Sequence, residues 1–241
     1  MTIQEMHIEF KERLDKSASS SFPELLVEQV DLLLNNAIEK FVKLRYGRNN
    51  IYKAGVEEIQ KRTDDLRTLV VTHYPQLATV TTEDNTVKAS LTTLYSDEAL
   101  TTLTTDKYQF FLNGRVRTVK TGCTSSYNSV KLYNHDDINS VLKNPFKKPT
   151  FNEVIGYFEK GDLYLLTDGT FTIDKAKITY LKKAAVVKYG SLYPTPVSNV
   201  NCDLPEHAHT EVVDLAVLIT LENLESIRTQ GFMGLKMATE E

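Results

Sequence analysis

Tryptophan is absent and cysteine occurs only twice, as Cys123 and Cys202. The two cysteines belong to no CxxC pair, so neither a disulfide framework nor a zinc knuckle is indicated. Apolar runs are short as well; none approaches the roughly 20 residues needed to cross a bilayer. The start of the chain lacks the basic, apolar and small-residue order of a signal peptide, so a place in the cytoplasm of the cell that makes it is expected. There is no GxSxG, no Walker loop, no GxGxxG and no HExxH, which removes the sequence support for the common hydrolase, nucleotide and zinc-protease chemistries. Acid, base and nucleophile types never gather at motif spacing, and the expectation is a protein that is not an enzyme and carries no cofactor.

What the 241 residues do contain is an ordinary globular composition, 41% hydrophobic, with twelve tyrosines and ten phenylalanines in place of tryptophan. Some of those tyrosines should be core and some interface anchors. Net charge is only −4, but it is spread unevenly. Residues 143–190 carry nine basic and five acidic side chains, whereas 191–241 carry two and eight. Such polarity suits either a solvated surface or complementary faces in a head-to-tail assembly.

The stretch from Cys202 to Gln230 stands out. Asp203 and Glu206 around Pro205 have the spacing of a capped helix start. From Val212 to Leu221 eight of ten positions are apolar. A helix apolar on all sides must be buried, in its own core or against a neighbour. At the other end, Thr2 with Glu5 resembles a capping box, and Ile3, Met6, Phe10 and Leu14 share one helical face. Ser21, Pro23 and Glu24 should open a second helix through Leu26, Val30, Leu33, Leu34, Ala37, Phe41 and Leu44, closed by Gly47. A third helix is expected over Tyr52 to Thr63.

Threonine and β-branched residues then take over, and the chain reads as sheet. Strands are expected over Leu66 to His73, Val87 to Leu91 and Ser129 to Tyr133. Glu83, Asp84 and Asn85 read as a turn. Tyr108 to Leu112, Asn113-Gly114 and Arg115 to Thr121 form the pattern of a tight hairpin. A short helix with Ile138, Val141 and Leu142 inward should follow His135, and Asn144 to Pro149 should be extended. From Glu153 to Tyr189 an antiparallel meander is expected, with turns at Gly161-Asp162, Asp168-Gly169 and Asp174-Lys175. Tyr193 to Val200 would link it to the last helix. The fold class is therefore α+β: N-terminal helices and the C-terminal helix forming a bundle, with a central, mainly antiparallel β region. The corresponding domains are 1–65 with 201–232, then 66–200 with one short helix near 136–143, and a tail at 233–241.

Three sets of residues are candidates for function. Val212, Val213, Leu218, Ile219 and Leu221 form a candidate interface. Lys143, Lys147, Lys148, Lys182, Lys183 and Lys188, with Phe146, Tyr180 and Tyr189 nearby, form a candidate basic patch for nucleic-acid backbone. Cys202, Asp203, Glu206, His207, His209 and Glu211 are metal-ligand types within ten positions. His207 and His209 point apart on a helix, however, and acidic residues cap helix starts anyway, so no metal is expected. His135 beside Asp136 and Asp137 lacks a nucleophile motif and reads as helix capping.

Three blocks also carry a resemblance. MTIQEMHIEFKERLDK leading to FVKLRYG, HDDINSVLKNPFKKPT leading to KITYLKKAAVV, and CDLPEHAHTEVVDLAVLITLENLESIR are similar to virion proteins of crAss-like tailed bacteriophages. Ala184-Ala185 departs from the proline expected after TYLKK. The resemblance implies a structural ring or adaptor of the head–tail connector beneath the portal. It also implies a closed ring of roughly twelve copies. Its partners would be the portal, other connector or tail proteins and possible translocating DNA, with no membrane. The alternative is a soluble monomeric ligand- or nucleic-acid-binding protein.

Overall fold

The computed structural model describes residues 1–17, 25–47, 59–80, 85–190 and 198–223. Its elements divide into two compact units, one of residues 1–69 with 184–241 and one of residues 70–183. Outside the described residues lie the Ser21 to Glu24 helix start, most of the expected third helix, Glu83-Asp84, the Tyr193 to Val197 segment and everything after Asn223.

In the first unit, α1 (Ile3–Ser17) buries Ile3, Met6, Phe10 and Leu14, the stripe read from the sequence. Its start is a reciprocal cap. The Thr2 N–H donates to Glu5 Oε2 at 2.7 Å and the Glu5 N–H to Thr2 Oγ1 at 3.3 Å, satisfying donors that a helix start leaves free. Helix α2 (Val27–Tyr46) buries Val30, Leu34, Ala37, Ile38, Phe41 and Val42. Leu26 and Leu44, expected inside, are exposed, because the buried stripe follows Ile38 and Val42 instead. Gly47 does end α2, with its N–H on the Lys43 carbonyl, but in an extended conformation open to other residues. The described helix α3 covers Gln60–Leu66, followed by a 3-10 turn, Arg67–Leu69.

Helix α5 (Glu206–Asn223) lies against α1 and α2. Ten of its residues are buried, from Ala208 to Leu221. Polar ties hold the chain around these helices. The Asn35 side-chain amide brackets the Val187 peptide, accepting from its N–H at 2.9 Å and donating to its carbonyl at 3.0 Å. Asp31 accepts the Tyr189 N–H and contacts His7 Nε2 at 2.8 Å.

The second unit is a closed barrel of seven strands, and this corrects the expected architecture. The strands are β1 (Val70–Thr79), β2 (Thr86–Tyr95), β3 (Tyr108–Val119), β4 (Ser126–Leu132), β5 (Glu153–Glu159), β6 (Asp162–Leu166) and β7 (Thr172–Lys182). Around the barrel the order is β1, β2, β6, β5, β4, β3, β7 and back to β1. A closed ring with an odd number of strands cannot alternate direction all the way round, so at least one parallel pair is forced. That pair is β4 with β5. Parallel neighbours need a crossover connection, and α4 (His135–Lys143) provides it, packing on the outer face of β5 and β6 through Val141, Ile155, Tyr157, Tyr164 and Leu166. The composition remains α+β, but the arrangement is not a helical bundle with a central, mainly antiparallel β region: the strands close into a barrel of mixed direction.

Two further expectations fail for the same reason. Asn113-Gly114 is not a hairpin turn; β3 runs straight through it, paired along its length with β7 through three register shifts. Likewise Asp174-Lys175 lies inside β7 rather than between two strands. Long strands that close a barrel absorb such dipeptides as bulges. Pro75 sits at the register shift of β1, where a missing ladder donor does least harm. Segment 144–148 is a turn, the Lys147 and Lys148 N–H groups both donating to the Asn144 carbonyl, while Asn144 itself keeps the extended backbone expected before proline. The turn between β5 and β6 places Lys160 and Gly161 at positive φ.

Inside the barrel, Ala89, Leu91, Val116, Val154, Leu163, Leu165, Ala176, Ile178 and Tyr180 form the core. Leu163 and Leu165 face in while Tyr164 and Leu166 face α4, the period-two alternation of a strand.

Candidate assembly surfaces

The antiparallel register of β3 and β7 sets Arg115 directly opposite Lys177, and Asn113 opposite Thr179. On the other side of β7, Thr179 pairs with Thr72 of β1. Ile178 and Ala176 point into the barrel, so Lys177 and Thr179 point out. The result is a cleft of about 240 Å³ on the outer surface, lined by Thr72, Asn113, Arg115, Lys177 and Thr179. Thr72 Oγ1 and Thr179 Oγ1 are 3.0 Å apart.

Like charges set directly across a ladder repel. One step along the same strands the register repeats the arrangement with Arg117 opposite Lys175. There, each cation has an acid: Arg117 lies 3.8 Å from Asp174, and Lys175 lies 3.2 Å from Glu98. Glu98 also accepts from Tyr127 Oη at 2.9 Å. Burial, then that bond, push the Tyr127 hydroxyl up to about 12. Arg115 and Lys177 have no carboxylate partner among the described residues.

In strand order, β5 and β6 are the farthest from β7. The flank that carries α4 is thus across the barrel from the cleft. The first turn of α4 exposes Asp136 and Asp137, again without an ion-pair partner among the described residues. His135 has a structural contact in this fold. Its Nε2 donates to the Phe158 carbonyl at 2.6 Å and its ring meets Tyr157 edge-on, pinning the start of α4 to the end of β5.

The six lysines are placed apart. Lys143, Lys147 and Lys148 precede β5, beside Phe146, which is 96% exposed. Lys182 and Lys183 follow β7 to its end, and the strand directions put the start of β5 and the end of β7 at opposite ends of the barrel. These ends are separated by the length of β7, on the order of 30 Å. Lys182 also lies 3.7 Å from Asp106. Lys188 belongs to the other unit, and Tyr180 is buried inside the barrel.

Of the apolar α5 residues, Val212, Val213, Leu218 and Leu221 are buried within the chain, and Ile219 is half-buried. The ligand-type residues at the start of α5 have separate partners. Glu206 holds the Met1 ammonium at 3.1 Å, which lowers its carboxyl. His207 Nε2 is 3.0 Å from Asp65, and His209 Nε2 donates to the Leu204 carbonyl at 2.9 Å. Glu211 pairs with Arg45 and Lys61. Burial raises the Cys202 thiol. No group of three such residues among those described is disposed to hold a metal ion.

Sequence reading missed the cleft because Arg115 and Lys177 are far apart in the chain and meet only through register. The available signal was the period-two spacing of Arg115 with Arg117 and of Lys175 with Lys177, which puts each pair on one strand face.

No curated protein matches the chain. The sequence model of the family described as phage tail ring protein 3/4, from crAss-like phages, matches residues 1–229. That match runs through both compact units. The chain belongs to the phage tail ring protein 3/4 family of crAss-like phages.

Proposed function

We propose that this tail ring protein works by assembly alone: identical copies close into a ring that docks coaxially with its neighbours in the head–tail connector beneath the portal, and no chemistry is performed. The observation that carries the reading is the family match across residues 1–229. A subunit in a cyclic ring presents two different surfaces to its two neighbours. A barrel with a basic cleft on one flank and a helix on the other suits that requirement. Helix α5 then serves the ring by holding the subunit together, with Ile219 the accessible member of its apolar stretch. Contact with DNA passing through the ring belongs to the same proposal and falls to Lys143, Lys147 and Lys148.

Each contact between copies should bury roughly 1,600 Å² or more, with charged residues at its rim. Rim charges are screened within about 8 Å at physiological salt, so assembly weakens as salt rises while the folded subunit persists. The test combines the purified protein with purified portal and neighbouring tail proteins in native mass spectrometry and microscopy. A co-migrating ring, and the protein's presence in purified virions, are expected. Absence of a ring at every salt concentration, or of the protein from virions, overturns the reading.

A further inference from the structure

We propose that the ring contact is made barrel to barrel, with Asp136 and Asp137 at the start of α4 of one copy entering the Arg115–Lys177 cleft of the next. This inference rests on the ring reading and names the side chains that would join its subunits.

Five observations lead to it. Arg115 and Lys177 face each other across the ladder and have no carboxylate partner among the described residues, although the neighbouring Arg117–Lys175 step has two. An arrangement that repels in the isolated chain is relieved by an anion from outside. The cleft is concave, about 240 Å³, and lined with an amide and two hydroxyls besides the cations, which suits one or two carboxylates. Because the adjacent cations are already neutralised by Glu98 and Asp174, no continuous basic track runs along the strands. A nucleic-acid backbone needs several cations in a row, so a discrete acidic group on a protein is the better occupant.

The chain itself supplies that group. Asp136 and Asp137 are exposed, adjacent and unpaired among the described residues, on the flank of the barrel across from the cleft. Strand directions also match their heights. Helix α4 starts where β4 ends, and the cleft lies between the middle of β7 and that same end of the barrel. Barrels standing side by side could each offer α4 to the next cleft, the head-to-tail relation that closes a ring.

The test uses charge reversal in the full chain, with wild type, Arg115→Glu/Lys177→Glu, Asp136→Lys/Asp137→Lys, and the quadruple variant carrying all four changes. Lys11→Glu/Lys40→Glu, exposed on α1 and α2, controls for net charge. Circular dichroism and thermal melting verify that each is folded. Ring formation is read by native mass spectrometry with the neighbouring tail proteins present. Each double reversal should weaken ring formation at least tenfold, the quadruple variant should restore it, and so should an equimolar mixture of the two double variants, whose clefts and α4 starts are then complementary in alternation. The control should assemble as wild type does. If wild type forms rings and both double reversals form them equally well, this contact is wrong while the ring reading stands. If neither the quadruple variant nor the mixture recovers, the pairing of these two surfaces is wrong. If wild type forms no ring, the ring reading fails and takes this inference with it. A 20-base-pair duplex whose binding depends on Arg115 and Lys177 would assign the cleft to nucleic acid and also overturn the proposal.

Discussion

Asp65 shows how a single residue is held at a cost. Its side chain is 1% exposed, with Arg45 Nε at 2.9 Å and His207 at 3.0 Å. The Arg45 contact is close by distance but poorly aligned as a hydrogen bond. Removing one member of a buried ion pair strands the other, so Asp65→Ala should cost about 3 kcal/mol in chemical denaturation. Two other histidines make a pH prediction. Burial lowers His73, against an opposing pull from Asp106, and burial likewise lowers His209. The unfolded chain then takes up protons near pH 6.5 before the folded one does. Stability should therefore be fully present above that pH and decline as pH falls through it toward the lowered folded values. Replacing His209 with Gln should flatten the slope of denaturation midpoint against pH below 6.5; an unchanged slope would contradict the assignment.

Glycine at the element scale makes the barrel wall fit. Gly156 in β5 faces Val130 of β4, and an added Cβ would stand 3.0 Å from Val130 Cγ1, 3.2 Å from Leu163 Cδ1 and 3.4 Å from the Tyr164 carbonyl. Gly114 in β3 has Phe111 and Val130 as close neighbours in the same way. Gly156→Ala is expected to destabilise by about 1 to 3 kcal/mol, the usual range for overpacking, seen as a lower thermal midpoint. Gly122 is a useful contrast, since nothing lies within 4 Å of its Cβ position and only its positive φ, +82°, resists substitution. The close approach at Gly114 also explains why Asn-Gly failed as a hairpin signal. The dipeptide permits a tight turn, but it equally permits a strand to pass against a packed ring, and β7 offers a partner along the whole of β3.

For the molecule as a whole, the barrel is entered and left at neighbouring points. Val70 at the start of β1 pairs with Leu181 near the end of β7. Residues 70–183 also own a continuous core. The excised segment 68–184 should accordingly fold alone, giving a dispersed amide spectrum and a cooperative melt. A collapsed spectrum with no cooperative transition would show that the barrel depends on the rest of the chain.

Local chemistry was sufficient for much of this protein. The Thr2–Glu5 cap, the α1 stripe, the end of α2 at Gly47 and the burial of α5 all follow from periodicity and caps, because a helix satisfies its own backbone and needs only a place for its apolar face. Family membership was likewise carried by blocks of sequence. Most strand positions were legible, although Leu66 to Leu69, expected as the start of a strand, is helical; how the strands join was not. Alternation marks which face of a strand is buried and says nothing about its neighbour, so closure of the barrel, the parallel β4–β5 pair and the uninterrupted β3 and β7 belonged to the tertiary structure. The same limit hid the Arg115–Lys177 cleft. Its residues come from three strands distant in sequence, and only hydrogen-bond register, decided when the barrel closes, brings them side by side.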